Sequence, residues 1–200
     1  MSTGDLPTVL VVDDEADVAD AYAAQLAGEY EVETAYSGEE ALEQLGPETD
    51  VVLLDRRMPG ISGDEVLEHV REERLDCRVA MVTAVDPDFD IIDMGFDDYV
   101  TKPVSKSDLV DTIERLLTCA EYEDRLQEYY QLTSKYVTLL SNKSSAELER
   151  SEEFADLREE RERVREELDE TIDQFDDRHF TAVFRELTDQ GERASGRAEE

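Results

Sequence analysis

Val51-Val52-Leu53-Leu54-Asp55-Arg56-Arg57-Met58-Pro59-Gly60 is the stretch from which the fold can be read. Its four leading apolar residues, two of them β-branched, have the pattern of a strand buried on both faces, and the run stops at a carboxylate followed by a Pro-Gly turn. Asp55 therefore ends a central strand. In an open α/β sheet, sites form at this carboxyl edge, because the loops converge there without helices covering them. An aspartate in that position is a candidate nucleophile or metal ligand.

Working outward, Thr8-Val9-Leu10-Val11-Val12 is a second β-branched run and ends in Asp13-Asp14-Glu15. Val18, Ala21, Tyr22, Gln25 and Leu26 follow at helical spacing, closed by Gly28. Tyr30 to Tyr36 alternates as a strand, and Ser37 is placed to cap a helix running to Leu45. Beyond Gly63, Val66, Leu67 and Val70 mark a third helix, and Arg78 to Thr83 reads as a fourth strand. Asp98 to Pro103 closes the series, before a helix carrying Leu109, Val110, Ile113, Leu116 and Leu117. Strand and helix alternate five times, which predicts a parallel sheet with helices on both faces.

That topology sorts the polar residues. Asp13 and Asp14 end the first strand, Asp55 the third, Thr83 the fourth and Lys102 the fifth, all along one edge. Three crowded carboxylates repel unless a cation neutralises them, and hard oxygen ligands with room for water favour Mg²⁺. A hydroxyl and an ammonium beside them can bind phosphoryl oxygens. This is equipment for phosphoryl transfer to a carboxylate, in which catalysis is mostly positioning and charge neutralisation.

On the pair Asp13-Asp14, the VVLLDRRMPG stretch around Asp55, VTA at Thr83, and Tyr99-Val100-Thr101-Lys102-Pro103, residues 8 to 118 resemble the receiver domain of two-component response regulators. The resemblance implies a flavodoxin-like sheet of strand order 2-1-3-4-5. It implies Asp55 as phosphoacceptor for a sensor histidine kinase, and Asp14, Asp55 and the backbone carbonyl of Arg57 as direct Mg²⁺ ligands, with Asp13 acting through water. Lys102 would contact the phosphoryl oxygens, Thr83 would move towards them, and Tyr99 would swing inward behind it. The Lys102-Pro103 bond is cis in that family. One departure stands out: AVDPDFDIIDMGFDDYVT, between Thr83 and Lys102, leaves about one turn less than usual for the fourth helix.

The whole chain has a net charge of −34, from 54 acids against 20 bases, and only Lys102, Lys106, Lys135 and Lys143 are lysines. So many uncompensated carboxylates repel one another in dilute salt but keep a surface hydrated once salt screens them, which points to a halophilic cytoplasm. Cys77 and Cys119 lack CxxC partners and read as thiols of a reducing compartment. Nowhere do 18 apolar residues run together, so no membrane insertion is expected. His69 and His179 lack metal-ligand spacing, and no Gly-rich phosphate loop, Ser-His-Asp arrangement or zinc pattern occurs. The expectation is thus no enzyme, beyond self-catalysed phosphorylation and dephosphorylation.

From Val104 to Gln190 there is neither Gly nor Pro. Leu126, Tyr129, Tyr130, Thr133, Val137 and Leu140 recur at helical spacing, and Ser141 to Ser145 reads as a turn. Ser144 with Glu147 forms a capping box before a long helix with Phe154, Leu157, Val164, Leu168, Ile172 and Phe175 on one stripe, interrupted by Arg161. Asp176-Asp177 would cap a last helix carrying Phe180, Val183, Phe184 and Leu187. Such narrow stripes predict an antiparallel hairpin or coiled coil, self-association, or packing on the receiver.

Position and pattern here resemble the HalX domain, a helical module found after receivers in halophilic archaea. The reading divides the chain into a receiver over 1–118, a HalX-like output or dimerisation domain over 119–190 and a disordered tail over 191–200. Residues 141–200 hold 10 bases against 20 acids, so the run Arg158, Arg161, Arg163 and Arg165 reads as a salt-bridged, solvated face. Signalling by protein association, with a homodimer through the helices, is the first expectation; a DNA-binding transcriptional regulator is the alternative.

Overall fold

The aliphatic runs become β1 (Thr8–Val12), β2 (Glu31–Ala35), β3 (Val51–Leu54), β4 (Arg78–Thr83) and β5 (Asp98–Thr101) in a computed structural model that describes residues 6–174. All four pairings are parallel and the order is β2-β1-β3-β4-β5, the expected topology. Side chains of a strand alternate between faces, so a strand covered on both sides must be apolar throughout. This accounts for the unbroken runs. Val9, Val11, Val51, Leu53, Ala80 and Val82 form one core with α1 (Ala16–Leu26) and Leu109, Ile113 and Leu116. Leu10, Val12, Val52, Leu54, Val79 and Met81 form the other, beneath α2 (Gly38–Gln44) and α3 (Gly63–Glu72).

Two local devices place α3 against the end of β3. Gly60 turns the chain at φ +77°, in the left-handed region where glycine carries no Cβ penalty. A capping box then starts the helix: Glu65 N–H donates to Ser62 Oγ at 3.3 Å, and Ser62 N–H to the Glu65 carboxylate at 2.9 Å. Gly63 N–H donates to the Arg56 carbonyl at 3.0 Å, and a Cβ on Gly63 would lie 2.1 Å from the Asp55 carbonyl. Only glycine permits this approach.

Between β4 and β5 the structure departs from the expected shortened α-helix: it contains a 3₁₀ turn, Phe89–Asp93, with no buried side chain. Phe89 and Ile92 stay exposed, so this segment gains little packing energy to sustain a full helix. After β5 comes α4 (Lys106–Asn142), preceded by the cis Lys102-Pro103 bond. The Ser144–Glu147 capping box starts only a single turn, α5 (Ser145–Leu148), rather than the long helix expected there. A second cap explains the break. Phe154 N–H donates to Ser151 Oγ at 3.1 Å, at the start of α6 (Glu152–Gln174).

Contacts divide the chain into one compact unit up to Ala120 and a second from Glu121. In the second, α4 and α6 run antiparallel: Arg125 pairs with Glu167 at 3.4 Å, while Tyr136, later in α4, stacks on Phe154, earlier in α6, with centroids 5.2 Å apart. Arg161, the interruption in the apolar stripe, lies with its guanidinium 4.2 Å from the Tyr136 ring centroid. Val164 and Leu168 are buried in this unit. The proposed stripe residue Phe175, the last helix from Asp176-Asp177 through Leu187, His179 and the tail from Gly191 lie outside the described residues.

Candidate functional site

The register of the three inner strands assembles the site. Val12 pairs with Leu54 and Leu54 with Met81, so the residues that follow, Asp13, Asp55 and then Thr83, emerge side by side at the carboxyl edge. Asp55 N–H continues the ladder to the Val12 carbonyl at 2.8 Å, and Lys102 N–H to the Thr83 carbonyl at 2.8 Å. Ligand atoms of Asp13, Asp14 and Asp55 all lie within 4.8 Å of one another; Asp13 and Asp55 are buried and Asp14 is exposed. Two carboxylates this close repel by roughly 3–4 kcal/mol at an effective dielectric of about 20.

Lys102 supplies part of the compensation. Its Nζ donates to Asp13 at 2.6 Å and stands 3.7 Å from Asp55. Burial works against its charge, but the hydrogen bond to Asp13 and the fields of Asp55 and Asp13 prevail and raise its pKa. Burial also lifts the Asp55 pKa above the usual carboxylate range, against the opposing effects of Lys102 and a hydrogen bond from Thr83. One ammonium against three carboxylates leaves the pocket anionic. It suits a hard divalent cation, whose remaining coordination sites water and the exposed Asp14 can reach.

The structure thus brings together Asp13, Asp14, Asp55, Thr83 and Lys102, and sets Arg57 two residues past Asp55. Tyr99 is part-buried on the neighbouring strand, packed near Phe96 and donating from its hydroxyl to the Val85 carbonyl at 2.8 Å. Residue-by-residue reading missed two neighbours. Tyr22 lies close enough for the charges of Lys102, Asp13 and Asp55 to act on its hydroxyl. Arg56 is buried and donates to Asp64 from Nε at 3.0 Å and to Asp90 from Nη2 at 2.5 Å. The available signal was an arginine two residues past a buried apolar strand, where a charge requires partners.

A five-stranded flavodoxin-like sheet with carboxylates, hydroxyl and ammonium at its carboxyl edge defines the receiver class of signalling domains. A family model for the response regulator receiver domain matches residues 9–114, and the chain belongs to that family. The HalX domain model matches residues 118–199. A protein of Haloferax volcanii bearing the name of a transcriptional regulator is 51% identical over 165 residues, 82% of this chain and 28% of that protein. Response regulator SaeR of Staphylococcus aureus is 34% identical over 142 residues, 66% of this chain and 60% of SaeR. The chain therefore spans less than two thirds of either relative.

Among solved structures, a CheY-like receiver domain protein of Methanospirillum hungatei is 31% identical with a TM-score of 0.56, covering 60% of this chain and 99% of that one. TrrA of Thermotoga maritima, solved in complex with Mg(2+)-BeF, is 34% identical with a TM-score of 0.50, covering 56% of this chain and all of that one (100%). The haloarchaeal relative agrees with the acidic composition. Among the described residues, no helix is long and apolar enough to cross a membrane.

Proposed function

We propose that this protein is a cytoplasmic response regulator in which Asp55 accepts a phosphoryl group from a sensor histidine kinase. The observation that carries the reading is the convergence of Asp13, Asp14 and Asp55 within 4.8 Å, with Lys102 between Asp13 and Asp55. A carboxylate oxygen of Asp55 attacks phosphorus, the bond from phosphorus to the donor imidazole nitrogen breaks, and the imidazole leaves with the electron pair and takes up a proton. Asp14, Asp55 and the Arg57 carbonyl would hold Mg²⁺, with Asp13 acting through water; the bound cation supplies charge neutralisation for the transferred group. Lys102 holds phosphoryl oxygens, Thr83 donates to them, and Tyr99 follows Thr83. Residues 1–118 serve as acceptor, and 119–190 carry the output.

For that output we favour protein association, including a homodimer through the helices. Tyr130, Val137 and Leu140 lie exposed along one side of α4, with Leu126 half-buried in the same heptad-spaced row. Residues 129–146 contain no acid and two lysines, in a chain with 54 acids. On that stretch a second copy meets the least repulsion. The DNA-binding alternative loses support because three of the four arginines of the basic run of α6 are already engaged: Arg163 pairs with Glu160 and Glu167, Arg165 with Glu162, and Arg161 with the Tyr136 ring.

The test is intact mass after incubation with Mg²⁺ and acetyl phosphate in concentrated KCl, for wild type and Asp55→Asn, followed by light scattering of the same samples. One phosphoryl group on wild type alone, with a rise in oligomeric state, is the expected result. A folded wild type that stays unmodified, or an Asp55→Asn variant modified equally, would overturn the acceptor assignment.

A further inference from the structure

The 3₁₀ segment Phe89–Asp93 has no buried side chain, and Phe89 and Ile92 are 85% and 73% exposed. An element without a buried face is held by its polar contacts. One such contact reaches directly to the acceptor loop. Asp90 accepts from Nη2 of Arg56 at 2.5 Å, and Arg56 is joined by its own peptide bond to Asp55.

Arg56 is shared unequally. Asp64, at the start of α3, takes hydrogen bonds from both Nε and Nη2, at 3.0, 3.3 and 3.2 Å, whereas Asp90 takes one, and its side chain is 53% exposed. The backbone on the Asp64 side is fixed as well, by Gly63 N–H on the Arg56 carbonyl and by an approach that leaves no room for a Cβ. The Tyr99 hydroxyl adds to the stabilisation of the same guanidinium while donating to the Val85 carbonyl. Arg56 therefore bonds, at once, to the helix behind the acceptor and to the segment between β4 and β5. Of its two carboxylate partners Asp90 is the one held by a single hydrogen bond.

We infer that Arg56 is a positioning residue that tethers the Phe89–Asp93 segment to the acceptor loop through Asp90, and that phosphorylation of Asp55 releases the tether. Charge added at Asp55, with Thr83 and Tyr99 drawn towards it, displaces the guanidinium from the carboxylate it holds by one hydrogen bond, and Phe89 and Ile92 move with the freed segment. The inference rests on the acceptor reading above. A planar guanidinium can bridge two carboxylates in this way; an ammonium is a point charge without the fork.

The experiment is amide hydrogen exchange of residues 86–93, read by mass spectrometry on the full chain in concentrated KCl, with and without Mg²⁺ and acetyl phosphate. Intact mass of every sample reports phosphoryl uptake. Wild type should exchange severalfold faster when phosphorylated. Asp90→Asn should take up phosphoryl to the same extent but exchange fast in both states, with a ratio near one, and Asp90→Glu should restore the wild-type ratio. Had Asp90 only a stiffening role, Asp90→Asn would exchange faster by the same factor in both states and keep the wild-type ratio. That result, or a phosphorylated wild type whose segment is unchanged or slowed, would overturn the tether while leaving the acceptor reading intact. A wild type that gains no phosphoryl group would overturn the acceptor reading and the tether with it.

Discussion

The sheet unit and the helical unit solve the problem of burial differently. Each inner strand of the first unit is apolar on both faces and closed in by helices on both sides, so Leu10, Leu53, Leu54 and Met81 are almost wholly removed from water. In the second, of the hydrophobic residues from Glu121 onward, only Val164 and Leu168 reach that state among the described residues, and the hairpin relies on a stacked Tyr136–Phe154 pair, an arginine over a ring and an ion pair between helices. Burial on two fronts tolerates charged edges. A hairpin with one narrow seam must recruit polar side chains into the seam itself.

The contrast can be broken from the sheet side first. Leu53→Ala removes a side chain wholly enclosed in one of the two cores, and should cost about 3 kcal/mol in urea unfolding followed by circular dichroism in concentrated KCl. Val164→Ala in the hairpin should cost less, about 1–2 kcal/mol by the same measurement, because two helices joined along one seam can close part of the gap. Equal losses at the two positions would show the hairpin to be packed as rigidly as the sheet.

Asp55→Asn sharpens the comparison with the opposite sign. The folded pKa of Asp55 is raised, so its charge opposes folding: the stability it contributes is present below the unfolded value of about 4 and is lost as pH rises through the folded one. The amide should therefore stabilise the cation-free protein by about 1 kcal/mol at neutral pH, and the gain should vanish in acid. A gain independent of pH would point to a cause other than charge. The smallest effect belongs to Arg161→Ala, about 0.5–1 kcal/mol, the size of a cation–π contact at a partly exposed site.

Legibility followed the same division. The parallel sheet covered on both faces and the edge positions of Asp13, Asp55, Thr83 and Lys102 are written in the chain, because apolar runs ending in polar residues form buried strands with their polar ends at one edge; the strand order came from the resemblance to the receiver family. The 3₁₀ segment was not legible: Phe89, Ile91 and Ile92 resemble the apolar side of a helix until the exposure of Phe89 and Ile92 is known. Neither was Arg56, whose partners Asp64 and Asp90 are 8 and 34 residues away. The second cap at Ser151 lies in the sequence beside a stronger signal, the Ser144–Glu147 box, which drew the helix start to itself. Arg161 could be read as an interruption, but its ring partner belongs to another helix.

That arginine also selects an alignment. A seam of similar apolar residues can slide by a heptad with little loss, since one leucine replaces another. Sliding α6 along α4 by one such step would strand the Arg161 guanidinium away from Tyr136, leaving that cation in the seam without its partner. The side chain that weakens the hairpin's hydrophobic stripe thereby rejects the neighbouring registers, and the two helices meet in one phase.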